Sequence, residues 1–337
     1  MSLKIALVGT GKVARSNYLP YLSKQADVSL SYFSRTLEKA EACAIEFGGR
    51  AVDSVEVLLA DAPDAVLVLT HETQRFDATK ALLANKTPPN RLFFEKPLVA
   101  QNGQANVSED DFIKARTLLQ KAHALGCETA MVFNYRFFEQ TQRALKILDE
   151  RDFGRLTQAT LLVNYACWSH CIDLLNLFGG RAREITGLAG DTLYQNAVDV
   201  SAAFRLENGA TGTILGTSGT KFDHSLYELH FHFERGSLHF SDLDGPLETY
   251  DHAMRYKESH GLIGNHSRWD QYRASFEKSL AAYLESLRQG TPPPVPGLAG
   301  LEELQFEAAL RRSIAEKRPV KVQEELALTS CPSSLVG

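Results

Sequence analysis

Along the first third of the chain, apolar runs alternate with segments of helical spacing. Residues 3–8 (LKIALV), 28–33 (VSLSYF), 64–69 (DAVLVL) and 91–94 (RLFF) are short apolar runs bounded by turn residues. Such runs predict strands buried on both faces. Between the first two, KVARSNYLPYLSK places Val13, Tyr18, Leu19 and Leu22 at helical spacing, with Pro20 expected to perturb the helix. Residues 37–47 (LEKAEACAIEF) predict a second helix closed by Gly48-Gly49, and 72–85 (ETQRFDATKALLAN) a third. Strands alternating with helices of roughly 10–15 residues predict βαβ units and a parallel sheet. The polar stretch 100–111 predicts a loop, with Ser108 as N-cap of a helix over 109–126. A further strand, 128–133 (ETAMVF), leads into NYRFFEQTQRALKILDE.

The rhythm then changes. Residues 154–165 and 197–218 predict longer strands, the second interrupted by Asn208-Gly209, a strong hairpin signal. Residues 225–240 alternate with period two and turn at Arg235-Gly236. Consecutive strands of this kind predict an antiparallel sheet in a separate α+β domain. Helices return at 269–290 and 301–318, separated by the proline-rich stretch 292–296, and residues 329–337 are expected to fray. The pattern divides the chain into domains at 1–130 and 131–330.

Composition narrows the classes. A chain of 337 residues suits roughly two domains. The net charge of −5 gives no basic footprint, so no nucleic-acid partner is expected. No apolar run reaches about 18 residues, so no membrane partner is expected either. The apolar N-terminus lacks a basic flank and runs into a glycine turn, which predicts a strand rather than a signal peptide. Five scattered cysteines, an odd number, predict free thiols in a reducing compartment, hence a cytoplasmic protein.

The chemistry begins at Gly9-Thr10-Gly11-Lys12-Val13-Ala14, a G-x-G-x-x-A pattern between the first strand and its helix. In that context Gly9 permits a tight turn, Gly11 lets the backbone approach a pyrophosphate, and Ala14 lets helix and sheet pack closely. The second strand ends in Ser34-Arg35-Thr36. NAD binders place a carboxylate there; a hydroxyl and a guanidinium instead suit a 2′-phosphate, so NADP is expected ahead of NAD. The run at 91–94 delivers Glu95, Lys96 and Pro97. Charges at the end of a buried strand are costly unless paired or used, and such strand ends line the ligand crevice.

The G-x-G-x-x-A turn, Thr70 ending the strand at 64–69, E-K-P at 95–97 and His-Cys-Ile-Asp at 170–173 together resemble the glucose–fructose oxidoreductase/inositol dehydrogenase/MocA (Gfo/Idh/MocA) family. The similarity reaches RSIAEKRPVKV at 312–322. It implies an α/β protein: an N-terminal Rossmann domain plus a C-terminal α+β domain with a large open, mainly antiparallel sheet. It implies hydride transfer between NAD(P) and a hydroxyl or carbonyl of a sugar, cyclitol or related small molecule. In the family the E-K-P lysine lies beside the nicotinamide and the reacting oxygen, which maps to Lys96. Glu95 maps to a structural acid that orients the lysine or sits near the nicotinamide ribose. Thr70 and His71 are expected to flank the nicotinamide, with Pro97 beside them. His170 maps to the second catalytic position.

The chain departs from the family where an Asp is usual four residues before that His: Ala166 stands there. The set is then reduced to Lys96 and His170, or another group supplies the acid. Tyr165, Trp168, Asp173, Asn134, Tyr135 and Arg136 are candidate substrate contacts, although Asp173 also suits a structural role and Arg136 a salt link bridging the two domains. Ala166 favours the rival reading, a non-catalytic NADP-binding regulatory protein of the same fold. The resemblance further implies a homodimer or homotetramer through the open sheet. Cys167, His170 and Cys171 lie within about one helical turn but lack a fourth ligand, and His230, His232 and His239 are read as an interface face, so no metal is expected. The histidine-rich residues 252–269 are read as a long loop bordering the cleft.

Overall fold

A computed structural model of the chain describes residues 2–194, 197–217, 225–264 and 267–328. They form two compact units. One holds the residues up to Phe133 together with Phe276–Leu304, the other Asn134–Ser275 and Gln305–Ala327. Residues 329–337, Ser218, Asn265 and His266 lie outside the described residues.

Among the described residues the first unit holds a six-stranded parallel sheet: β1 (Leu3–Val8), β2 (Val28–Phe33), β3 (Arg50–Val52), β4 (Ala65–Val68), β5 (Arg91–Phe94) and β6 (Glu128–Met131), ordered β3-β2-β1-β4-β5-β6. The order reverses between β1 and β4, where α/β sheets open a crevice at their strand ends. The register brings those ends level: Val8 pairs with Phe33 and Val68, and Val68 with Phe94. Helices Leu37–Phe47, Glu72–Leu83 and Glu109–Ala124 follow the predicted pattern. Pro20 does perturb its helix. A proline offers no N–H to the preceding turn, and a π-helical turn over Ala14–Tyr18 precedes the short α-helix Leu19–Leu22.

The spacing gave no sign that Phe276–Leu304 joins the first unit rather than following the single boundary near residue 130. Aromatic packing explains its place: Phe276 lies 5.4 Å from Tyr18 and Tyr283 lies 4.8 Å from Phe93. Beyond them, the amide of Met131 donates to the carbonyl of Val295 at 3.0 Å.

The second unit holds, among the described residues, a nine-stranded sheet: β7 (Leu156–Asn164), β8 (Ala182–Tyr194), β9 (Ala197–Leu206), β10 (Thr211–Thr217), β11 (Tyr227–Phe233), β12 (Gly236–Ser241), β13 (Leu247–Asp251), β14 (Tyr256–His260) and β15 (Val320–Lys321). Its order is β14-β13-β12-β11-β7-β10-β9-β8-β15, antiparallel except for β7 with β10. The hairpins predicted at Asn208-Gly209 and Arg235-Gly236 join β9 to β10 and β11 to β12. One face is apolar and covered: Phe178, on helix Trp168–Gly179, packs on Phe231 at 4.9 Å, and Phe306 packs on Phe204 at 6.0 Å. Residues 252–269 are not simply a loop. They contain β14, which pairs with β13 along five residues from Tyr256 to His260 and so satisfies its backbone in the sheet.

Candidate functional site

The glycine turn stands at the end of β1. Gly9 has φ +100°, and a Cβ there would lie 2.7 Å from the Thr70 amide nitrogen and 2.8 Å from the Leu69 carbonyl carbon. Only glycine fits such a position, because the backbone conformation and the close approach of β4 both exclude a side chain. A Cβ on Gly11 would meet nothing within 4 Å, so its backbone faces open space. Ala14 is fully buried against the sheet, while Lys12 and Val13 are exposed on the first helical turn.

A cavity of about 540 Å³ opens beside this turn. Its wall brings together Gly9, Thr10 and Gly11 with Ser34, Arg35 and Thr36 from the end of β2, and with Thr70 and His71 after β4. Lys12, Val13 and Ala14 are not part of that wall. Lys39, one turn into the helix Leu37–Phe47, joins Arg35 as a second exposed cation. Lys39 lies beyond the Ser34-Arg35-Thr36 motif, and no local spacing marks it as part of the wall, because Arg35 precedes the helix.

The end of β5 explains how two charges are accommodated. Glu95 is 6% exposed. The Tyr18 hydroxyl donates to its Oε1 at 2.8 Å, and the Lys96 amide donates to its Oε2 at 2.9 Å. Glu95 therefore anchors the backbone of Lys96 rather than its ammonium. The Lys96 side chain is half-buried, and its Nζ donates to Gln104 Oε1 at 3.2 Å. Pro97 is buried, and its carbonyl accepts from Arg75 Nη1. Arg75 Nη2 also donates to the Thr70 carbonyl at 2.8 Å. One guanidinium, 2% exposed, thus ties the chain after β4 to the chain after β5. Burial lowers the pKa of Arg75, and the nearby Glu95 and Glu72 carboxylates oppose that shift. Tyr18, Arg75 and Gln104 were missed as members of this site. Tyr18 and Glu95 are 77 positions apart, and no local spacing announces their pairing.

The second unit packs its candidates tightly. His170 is buried, with its ring stacked on Tyr135 at 3.9 Å and 7°. The Tyr135 hydroxyl shares a hydrogen bond with Cys167 Sγ at 3.1 Å, and burial holds that hydroxyl well above its ordinary pKa. Burial does the same to the Cys171 thiol. Among the described residues Cys167, His170 and Cys171 do not converge as a metal-ligand set.

Asn134 is buried and donates to Ser275 Oγ at 2.7 Å. Arg136 grips Asp173 with two hydrogen bonds, at 2.8 and 2.6 Å. Burial raises the Asp173 carboxyl, and Arg136 works against that rise. Arg136 thus makes its salt link inside the second unit, with Asp173, and not as a bridge between domains. Tyr165 is half-buried; its hydroxyl donates to the Val198 carbonyl at 3.1 Å and its ring lies 5.4 Å from buried Trp168. At Ala166 the half-buried methyl offers no carboxylate, and its amide donates to Asn164 Oδ1 at 2.9 Å.

A glycine turn opening onto a cavity at the reversal of a parallel sheet defines a dinucleotide-binding protein. Residues 3–123 match the model of the GFO_IDH_MocA family, described as an oxidoreductase family with an NAD-binding Rossmann fold. The matched segment is the glycine-turn domain, and the family is the one its motifs resemble. No curated protein matches the sequence. Solved structures share the fold over almost the whole chain.

An oxidoreductase from Agrobacterium radiobacter, in complex with NAD+, L-tartaric acid and magnesium, is 16% identical with a TM-score of 0.78, covering 97% of this chain and 100% of its own. A myo-inositol dehydrogenase from Corynebacterium glutamicum is 18% identical with a TM-score of 0.73, covering 95% and 98%. The WlbA dehydrogenase from Bordetella pertussis, in complex with NADH and UDP-GlcNAcA, is 18% identical with a TM-score of 0.71, covering 95% and 97%. Among the described residues no helix is long and apolar enough to cross a membrane.

Proposed function

We propose that this chain is an NADP-preferring dehydrogenase or reductase acting on a hydroxyl or carbonyl group of a sugar, cyclitol or similar small polar compound. The observation that carries the cofactor preference is the cavity wall after β2. Ser34, Arg35, Thr36 and Lys39 line it, with no carboxylate among them. Two cations and two hydroxyls suit a 2′-phosphate, where a carboxylate would repel it. Asp77 also lines the cavity, but from the helix after β4.

The cradle fits a dinucleotide: Gly9 and Gly11 leave room for the pyrophosphate, and Thr70 and His71 stand where the nicotinamide end would lie. When bound, the cofactor supplies the hydride acceptor or donor. Lys96 handles the proton. Its amine takes the hydroxyl proton as an alcohol is oxidised, and its ammonium returns it to the carbonyl oxygen in the reverse direction. Glu95, Tyr18 and Arg75 hold the backbone of Lys96 in register with the end of β4. His170, its ring stacked on Tyr135, is the second catalytic residue that the resemblance implies. The substrate class follows the relatives, one named for myo-inositol and others bound to L-tartaric acid or UDP-GlcNAcA.

The test is a panel of sugars, cyclitols and hydroxy acids with both cofactors, followed by nicotinamide absorbance. Lys96→Met is expected to lower turnover at least about 100-fold while NADPH still binds in a fluorescence titration. Wild-type turnover in that variant would remove Lys96 from the mechanism. Tight NADPH binding without turnover across the panel would favour the non-catalytic rival that Ala166 suggests.

A further inference from the structure

On the outer face of the nine-stranded sheet, the β11–β12 hairpin gathers a group that hydride transfer does not use. Its register sets His230 directly opposite His239 and His232 opposite Ser237. Glu228 precedes His230 by two residues and so shares its face. One ligand atom from each of Glu228, His230 and His239 lies within 4.8 Å of the other two. The two histidine rings are stacked, 3.7 Å apart between centroids.

We propose that Glu228, His230 and His239 bind a zinc-class divalent cation, with a fourth position left to solvent. Two imidazoles and one carboxylate form a donor set that suits zinc, nickel or copper rather than the all-oxygen preference of magnesium or calcium. Ligand atoms on a common tetrahedral zinc stand about 3.4 Å apart, from metal–ligand distances near 2.1 Å. The histidines are half-buried and the glutamate is exposed, so binding calls on side-chain rotation to close the remaining gap.

The surroundings favour the same ion. Glu248 Oε2 lies 3.5 Å from His239 Nδ1 and is itself held by Lys257 at 2.6 Å through Oε1. A carboxylate behind a ligating imidazole orients the ring and strengthens it as a donor. His239 Nε2 then turns to the metal, away from the Ser241 hydroxyl 3.3 Å from it. His232 is not part of the set: its ring centroid is 6.4 Å from that of His230.

The experiment is isothermal titration of the full chain with zinc chloride in chelator-free buffer, beside cobalt(II) titration followed by visible absorption. The wild type is expected to bind one zinc with these ligands and to give the intense cobalt bands of a tetrahedral site. His230→Gln and His239→Gln are each expected to weaken binding at least tenfold with unchanged circular dichroism. His232→Ala is expected to leave affinity unaltered. Equal binding by the wild type and the His230→Gln/His239→Gln double variant would overturn the proposal, as would no binding by the wild type. If a glutamine variant fails to fold, Glu228→Gln on the exposed position carries the test: unchanged affinity and cobalt spectrum there would also overturn it.

Discussion

Arg35 and Arg136 are both arginines, yet their surroundings assign them different work. Arg35 is exposed on the cavity wall with Lys39 nearby. Charge-assisted bonds to phosphate are worth about 1.5–3 kcal/mol, so Arg35→Ala is expected to weaken NADPH by roughly ten- to a hundredfold and NADH much less. Fluorescence titration with both nucleotides measures the difference, and equal losses would contradict the NADP preference. Arg136 instead neutralises Asp173, whose side chain is 1% exposed against 17% for its partner.

Arg136→Met leaves that carboxylate buried and unpaired, at a cost of about 3–5 kcal/mol near neutral pH. The sign of the pH dependence follows from burial. The folded-state pKa of Asp173 lies above its unfolded value, so the associated stability is full at low pH and lost as pH rises through the folded value. Removing Arg136 raises the folded value further. The deficit should therefore shrink as pH falls, and urea denaturation at pH 8 and pH 5 tests this. A deficit independent of pH would show that lost packing, not the charge, dominates. Both residues were legible in the motif analysis as candidates. Their pairing, across 37 positions, was not.

At the scale of elements, local rules predicted most of what they could reach. β1 and β5 coincide with their apolar runs because both faces are covered and almost every position is buried, whereas β2 alternates, with Leu30 and Tyr32 buried and Ser29 exposed. Ser108 caps the helix Glu109–Ala124 through a full capping box with Asp111. The Asp111 carboxylate also accepts from the Gln101 amide at 2.8 Å, so one side chain closes the loop that carries Gln104 towards Lys96.

Ser108→Ala is expected to cost about 1 kcal/mol. Asp111→Ala should cost more, about 1–3 kcal/mol, because it orphans the Gln101 and Ser108 amides. Thermal unfolding ranks the two, and hydrogen exchange should rise across the loop 101–107 in the second. A reversed ranking would mean that Asp111 does not organise the loop. β3 and the helix Val55–Ala60 escaped prediction because three to six residues carry no resolvable period. β14 escaped because its residues are largely exposed and polar, so its strand character comes from pairing with β13.

For the molecule as a whole, the open sheet carries three exposed leucines along one cross-strand row. Exposed Leu162 on β7 pairs with Leu215 on β10, Leu215 with Ser201 on β9, and Ser201 with exposed Leu188 on β8. Three exposed leucines along one cross-strand row, interrupted by Ser201, suit an interface. A second copy of the chain is the occupant proposed for it, as a homodimer or homotetramer. Leu162→Glu with Leu215→Glu is expected to convert the oligomer to monomers in light scattering while the far-ultraviolet spectrum stays unchanged. A wild type that is already monomeric would refute the interface.

The sequence by itself determined the alternation of strands and helices, the glycine turn, the hairpins, the helix cap and the lysine after β5. Each of these is encoded by residues within a few positions of one another, where backbone sterics and side-chain periodicity act. The tertiary structure alone decided that Glu95 answers to Tyr18, that Arg75 ties Thr70 to Pro97, that Arg136 closes on Asp173, and that Phe276–Leu304 joins the first unit. Those partners are remote in sequence and are selected by the cost of burying a polar group unsatisfied and the gain of burying an aromatic one, quantities that exist only once the chain has packed.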